Sequence, residues 1–399
     1  MALSLFSKLT RSEPRKAGIL PSQEIKELID NGKIRSRVEI TDDQIQPASV
    51  DVRLGNIAYK IRASFLPNAR TPIEPRIREL LLEEIDLSRP ALLDREAVYI
   101  VPLVESLALP SDMRARSNPK STTGRLDIFT RLITDGGAQF DDVDAGYSGD
   151  LYVEIVPRTF PIIVKAGARL NQLRFLRGNP QSDDEQLRKL AQKQQLVYYE
   201  NGNAPIRPII REGLRVSIDL QGHEMNGLVA YKARQARSPI DLAKVGAYEV
   251  TDFWEAVSTC DPSSLVLTPG AFYLLASKER IGVPPGYAAE MEPYDPTIGE
   301  FTVHYAGFFD PGFGHGVSGE IKGTKAVLEV RAHEVPILLE DGQTIGRLVY
   351  HKMADVPDKL YGQAIGSSYQ QQGLALSKQF IPTRRSDAPI SDLLQSHKA

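Results

Sequence analysis

Short apolar runs broken again and again by proline or glycine limit what this chain can fold into more than any other feature. AVYIVPLVESLALP, DLYVEIV, FPIIVKAG, SLVLTPGAFYLLAS and HEVPILLEDGQTIGRLVY are rich in β-branched residues, and 27 prolines and 30 glycines separate such runs. Proline withholds an N–H from a strand ladder and glycine serves tight turns, so the pattern predicts many short strands. Only two stretches read as helix. PSQEIKELIDNGKI sets Ile25, Leu28 and Ile29 on one face, with Ser22 as N-cap and Gly32 at its end, and SDDEQLRKLAQKQQL is a polar helix near 182–196. A chain of 399 residues exceeds the roughly 100–200 residues of one domain, so two are expected.

The runs recur in the same order. PASVDVRLG (47–55), AVYIVPLVESLALPSDM, VDAGYSGDLYVEIV and FPIIVKAGARLNQLRF are answered by GLRVSIDLQG (213–222), AFYLLASKERIGVPPGY, FDPGFG followed by KAVLEV, and VPILLEDGQTIGRLVY. In each half a D-[AP]-G-[YF] turn precedes an apolar strand carrying a carboxylate, Glu154 or Glu329. We read this as a duplicated domain, each copy with its own core. The expected layout is a flexible arm over 1–18, a first domain over 19–180, a connector over 181–204, a second domain over 205–358 and a closing segment with tail over 359–399.

A net charge of −3 does not suit a surface built to hold nucleic acid, so any basic site is local. The single cysteine, Cys260, rules out an internal disulfide and a Cys-rich zinc site, which fits a cytoplasmic protein. No apolar run approaches the ~18 residues of a membrane-spanning helix.

Three segments carry chemistry. Lys120-Ser-Thr-Thr-Gly-Arg125 gathers two cations and three hydroxyls around Gly124, the makings of a phosphate cradle, although it is no Walker A loop. Asp144-Ala-Gly-Tyr147 leads, across a turn at Gly146–Gly149, into the strand of Glu154, a hairpin on this reading. Alternation places Glu154 on the face of Tyr152, so it is either solvent-facing or a pocket carboxylate whose burial raises its pKa toward that of a general base. The polar stretch from Tyr361 through Ser368, Tyr369 and Gln372 to Lys378 reads either as a loose tail or as a lid. His304, His315 and His333 match no compact zinc spacing, and Trp254 reads as core.

Taken together these segments resemble the dCTP deaminase family of the dUTPase-like superfamily. GILPSQEIKELIDNGKI and QPASVDVRLGN are similar to its opening helix and VDVRLG strand. LALPSDM with KSTTGRLD resembles its LPADL-type segment and R-S-S-x-A-R-x-G phosphate motif, with Lys120, Gly124 and Asp127 replacing arginine, alanine and glycine. VDAGYSGDLYVEIV resembles its I-D-P-G-[WY] segment with the Asp-to-Glu spacing kept. Tyr361 and SSYQQQGLALSK resemble its K-Y-x-x-Q-x-G closing segment, one residue short. In the second half, EPYDPTIGEF (292–301) has lost the serine and arginine, and GHGVSGEIK separates Asp310 from Glu329.

The resemblance implies a mainly β fold of two dUTPase-like distorted β-barrels (β-clips) in tandem. It implies deamination of dCTP to dUTP and ammonia, with one glutamate as proton shuttle and no zinc. Glu154, Ser121 and Arg125 are the expected catalytic group. Glu154 is preferred because the phosphate motif lies in its half, and Glu329 is the alternative base. Lys120, Ser121, Thr122, Gly124, Arg125, Asp144, Tyr147, Tyr361, Tyr369 and Gln372 would bind substrate, and backbone groups near 133–138 would hold base and water. Mg2+ would come with the triphosphate, held mainly by phosphate oxygens and water. dUTP and dTTP are related ligands. No nucleic acid or membrane partner is expected, and a homo-oligomer, with a trimer favoured, is the family pattern, its sites assembled between subunits. Two other readings stay open: a dUTPase or bifunctional enzyme releasing dUMP and pyrophosphate, and a non-catalytic nucleotide-binding regulator.

Overall fold

The computed structural model describes residues 16–67, 72–198, 207–235, 238–260, 263–293, 301–304, 307–332, 334–362 and 373–382. The chain is mainly β, as its punctuated runs predict. Of the eleven strands in the two larger sheets of the first half, nine recur in the second: β1 (Val50–Val52), β2 (Ile57–Ile61), β3 (Leu81–Asp86), β4 (Val98–Ala108), β5 (Met113–Pro119), β6 (Ile128–Thr134), β7 (Asp142–Val143), β8 (Ser148–Pro157) and β9 (Asn171–Arg177). Their counterparts among the ten strands of the second half's two larger sheets are β10 (Leu214–Ser217), β11 (Leu228–Ala233), β12 (Trp254–Ser258), β13 (Phe272–Ile281), β14 (Tyr287–Pro293), β15 (Phe301–His304), β16 (Phe308–Phe309), β17 (Thr324–Ala332) and β18 (Thr344–Lys352).

The two sets are wired alike. One sheet runs β3-β2-β4-β8-β6, and its counterpart runs β12-β11-β13-β17-β15. In the other, β9 lies between β1 and β5, with β7 beyond β5; the counterpart runs β10-β18-β14-β16. Each strand therefore answers the one nine places later. Register extends the match to single residues. Glu154 on β8 lies opposite Ile100 and Arg131, and Glu329 on β17 lies opposite Leu274 and His304.

Several expectations change in detail. Helix α1 (Ser22–Asp30) forms, but Pro21 is its N-cap, and the Ser22 hydroxyl meets the Gln23 side chain instead of a backbone N–H. The Asp144–Tyr147 turn makes no hairpin. β7 pairs with β5, and both edges of β8 are already taken by β4 and β6, so the turn carries the chain from one sheet to the other. The first half has two further helices, α2 (Ile73–Leu80) and the short α3 (Ser121–Gly124). The helix expected in the connector, α4 (Asp184–Lys193), belongs to the second half. Asp183 caps it by accepting from Gln186 N, and its apolar stripe, Leu187 and Leu190, is buried in the second core, while Val197–Tyr198 pairs with β13. At the other end, Gly18 and Ile19 already pair with β9, so the arm does not extend to residue 18, and residues 1–15 lie outside the described residues.

The halves share a core. Tyr99, Leu126, Ile128, Val153 and Phe160 of the first pack with Phe253, Trp254, Phe272 and Leu274 of the second and with Leu374, Leu376 and Phe380 of the C-terminal segment. An excursion between β11 and β12 strengthens this seam. Its Ile240–Asp241 pair adds in parallel to the first-half strand Ile162–Val164, and α5 (Val250–Phe253) follows. No helix among the described residues is long and apolar enough to cross a membrane.

Candidate functional site

The phosphate-like loop sits on the seam. It leaves β5 at Lys120, turns through α3, and ends at Asp127, whose φ of 53° is left-handed. The loop is tied to the start of β9: Lys120 N and Thr123 Oγ1 both donate to Leu170 O, at 2.8 and 2.9 Å. Lys120 Nζ is ion-paired with the buried Asp51 of β1. Burial raises the Asp51 pKa, and Lys120 opposes that shift. Ser121 is exposed and Thr122 half-buried.

The second half supplies the carboxylate this loop meets. Glu329 is 8% exposed, and a Cβ added to Gly124 would lie 2.6 Å from its Oε1. The carboxyl of Glu329 thus fills the space that a side chain at position 124 would occupy. Burial holds its pKa well above the usual carboxylate range; Arg125 pulls it down and Asp127 pushes it up. Two residues on, Arg331 is ion-paired with Asp127.

The C-terminal segment closes this arrangement. Arg125, 3% exposed, donates from Nη1 to Ala375 O at 2.8 Å, and Ser377 Oγ donates to Thr122 O at 3.0 Å. Residues 373–382 are therefore docked on the loop. Tyr369 and Gln372 lie outside the described residues. Tyr361 packs against Phe313 with the rings tilted, centroids 5.4 Å apart, and borders a cavity of about 750 Å3 between the halves. Lys120, Ser121, Thr122, Arg169, Asp310 and Lys378 also line it. Burial first, and then Lys120, lowers the pKa of Lys378, as expected where cations crowd. Asp310 is held by the fully buried Arg174 across the seam, at 3.0 Å.

Glu154 stands in a different setting. It is 0% exposed, and its Oε1 accepts from Arg131 Nε and Nη2 at 3.0 and 2.6 Å. The Arg131 guanidinium lies 3.6 Å from the Phe140 ring centroid and 4.7 Å from that of Phe129. Asp144 is exposed in its turn, the Tyr147 hydroxyl donates to Asp150 O, and neither lines the cavity. Backbone groups near 133–138 border the Glu154 strand, where Asp135 accepts from Ile73 N. Among the described residues no group of three or more His, Cys, Asp or Glu is placed to hold a metal ion.

The structure brings together the Lys120–Arg125 loop, Tyr361, the segment after Gln372, and Glu329; it leaves Glu154, Asp144 and Tyr147 outside that group. Sequence reasoning passes over Asp51, Arg169, Lys378 and Arg331. The signal for Asp51 and Arg331 is a charge set among valines in VDV and EVRA, where an unpaired charge would be costly.

The family description 2'-deoxycytidine 5'-triphosphate deaminase, N-terminal domain, matches residues 16–179, and the corresponding C-terminal domain matches 183–380. "dCTP deaminase, dUMP-forming" of Dictyoglomus thermophilum is 28% identical over 193 residues, covering 47% of this chain and 92% of the relative. The protein of the same description from Streptomyces coelicolor is 31% identical over 169 residues, covering 40% of this chain and 80% of the relative. The crystal structure of 2'-deoxycytidine 5'-triphosphate deaminase from Agrobacterium tumefaciens superposes with a TM-score of 0.80 at 48% identity, over 86% of this chain and 100% of that one. With both halves matched and a solved structure covered along its whole length, the chain belongs to the dCTP deaminase family.

Proposed function

We propose that this chain deaminates dCTP in one site shared by its halves, with Glu329 as the base. The carrying observation is the contact between the Glu329 carboxyl and the Gly124 backbone. It joins the Glu329 strand of the second half to Arg125 and to the docked closing segment. The matched strand orders support a tandem of dUTPase-like β-clip barrels derived by duplication.

The residues divide the work. Lys120, Ser121, Thr122, Arg169 and Lys378 line the cavity and suit the polyphosphate tail. The cytosine ring would lie toward Glu329. Its carboxylate removes a proton from water as the oxygen adds to C4 and passes that proton to N3; it then takes the proton of the new C4 hydroxyl and hands it to the amino group, which leaves as ammonia as the C4 carbonyl forms. Burial raises the pKa of the Glu329 carboxyl, the direction that a group both taking and returning protons in this exchange requires. Fixing water, ring and carboxyl in one geometry supplies much of the acceleration. Mg2+ suits this reading as part of the substrate. Of the cavity's carboxylates, Asp43, Asp51 and Asp310 are paired with Arg169, Lys120 and Arg174, and Asp241 accepts from Ala243 N, so phosphate oxygens and water would be its main ligands. Bound there, it would neutralise charge on the triphosphate.

The test is ammonia release from dCTP by wild type, Glu329→Gln and Glu154→Gln. Loss of a general base costs about 10²–10⁴-fold. We expect that loss for Glu329→Gln and near-wild-type turnover for Glu154→Gln. The reverse pattern would move the base to the first half, and nucleotide binding with no ammonia from wild type would leave the regulator reading. Pyrophosphate measured in the same reactions decides the product, a question raised by the dUMP-forming names of the curated relatives.

A further inference from the structure

The position that is glycine in the phosphate motif this loop resembles is Asp127 here, and Asp127 is neither exposed nor idle. It is 1% exposed and keeps a left-handed backbone, φ 53°, that glycine adopts freely. Its N–H donates to Gly124 O at 2.8 Å, and its own carbonyl accepts from Arg158 N at 3.0 Å. The carboxylate accepts from Thr159 Oγ1 at 2.5 Å and from Arg331 Nη2, and Arg331 also donates to Thr159 Oγ1 at 3.0 Å and to Gly270 O. Arg331 lies two residues beyond Glu329 on β17, hence on the same face of that strand.

We propose that Asp127 and Arg331 form a positioning pair that docks the phosphate loop on the Glu329 strand and balances the charge beside that carboxyl. The inference rests on Glu329 as base. The charges acting on Glu329 are Arg125 and Asp127 from the loop; Arg331, two residues along its own strand, reaches it through its ion pair with Asp127, while β13 presents Leu274 opposite it and β15 places His304 opposite it in register. The influence of Asp127 on Glu329 is upward and that of Arg125 downward, so the two sides of the loop oppose each other. Removing only the Asp127 charge leaves the Arg331 cation uncompensated beside Glu329. That favours the carboxylate and lowers its pKa. Removing both charges restores the balance.

The experiment is the pH profile of kcat/KM for dCTP deamination in wild type, Asp127→Asn, Asp127→Gly and Asp127→Asn/Arg331→Met. Asn and Gly both accept the left-handed backbone, so two independent replacements preserve the loop's course. The acid limb reports the base in free enzyme. It should move down by about one pH unit in both single variants, a tenfold gain in relative rate on that limb. In the double variant it should return to the wild-type position. A purely structural pair would change kcat or stability and leave the limb where it was in every variant, and that result overturns the proposal. Glu329→Gln, run alongside, separates the two failures. Turnover surviving in Glu329→Gln removes the base assignment and this coupling together, whereas a dead Glu329→Gln with an immobile acid limb in Asp127→Asn removes the coupling alone.

Discussion

Truncating Phe380 to alanine should free the closing segment without unfolding either half. Phe380 is 3% exposed, and its ring meets Tyr248, Phe253 and Trp254 at centroid distances of 6.4, 5.6 and 6.1 Å. Losing a buried phenylalanine costs about 3–5 kcal/mol. Here the cost falls on a segment near the end of the chain, so it appears first as local opening. What remains to hold residues 373–382 is the burial of Leu374 and Leu376 in the shared core, together with hydrogen bonds: Gly246 N and Ala247 N to Lys378 O and Gln379 O at 2.9 and 2.8 Å, Ile381 N to Tyr248 O at 2.9 Å, and the contacts of Arg125 and Ser377. Each such bond contributes only about 1 kcal/mol net. With tenfold per 1.4 kcal/mol, the open population should rise about a hundredfold or more. Amide hydrogen exchange at Gly246, Ala247 and Ile381 reads that change directly, and thermal unfolding shows whether the rest of the chain keeps its stability. Because the segment holds Arg125 and covers Thr122, kcat/KM for dCTP should fall by about tenfold or more. A folded Phe380→Ala protein with unchanged exchange at those amides and unchanged kcat/KM would refute both the latch and its link to the site.

Arg131→Met leaves Glu154 buried without its cation and should cost about 3–5 kcal/mol in urea unfolding, whereas Arg131→Met/Glu154→Leu, which removes both charges, should cost markedly less. Equal costs would mean that the pair is not what compensates Glu154. His351 is buried, with neither ring nitrogen hydrogen-bonded, and its pKa is lowered to about 3, by burial first and then by Arg174, Arg116 and Arg114. The unfolded chain therefore binds the extra proton between the ordinary histidine value of 6.5 and about 3, so this contribution is complete above pH 6.5 and is lost as pH falls through that window. Glu290, 4.0 Å away and raised by burial, runs the opposite way in both proteins. Relative to His351→Leu, wild type should lose up to about 1.4 kcal/mol more per pH unit below 6.5; parallel curves from pH 7 to 5 would show that His351 is not the group titrating.

Much of this architecture is written in local pattern. Alternating apolar runs and their punctuation mark out the strands, and the repeated order of motifs matches the repeated strand order, because strand patterning and turns depend on near neighbours in the chain. Choosing between the two glutamates does not. Nearness along the chain points to Glu154, since the phosphate-like loop shares its half, whereas contact points to Glu329, which reaches the loop only because the shared core presses the halves together. The same limit hides Arg131. Its place opposite Glu154 follows from the β6–β8 register, and that register is set by the burial of Leu132, Val153 and Ile155 on the partner faces.

The two corresponding glutamates show how one strand pattern holds different chemistry. A buried carboxylate has two stable outcomes: it stays charged beside a cation, or it gives up its charge. At Glu154 the opposing position is Arg131, and hydrogen bonds of 3.0 and 2.6 Å from one guanidinium hold its carboxyl in place. At Glu329 the opposing position is His304 and the neighbouring backbone is glycine, so the carboxyl faces the loop instead of an arginine fork. Arg125 and Asp127 pull its titration in opposite directions. The loop that would answer Glu154 from the second half, EPYDPTIGEF, has no serine or arginine with which to grip phosphate. A paired glutamate and a loop without phosphate ligands belong together, as do a titratable glutamate and a loop with them. On this argument each chain carries one working site, and dCTP should bind with a stoichiometry of one per chain.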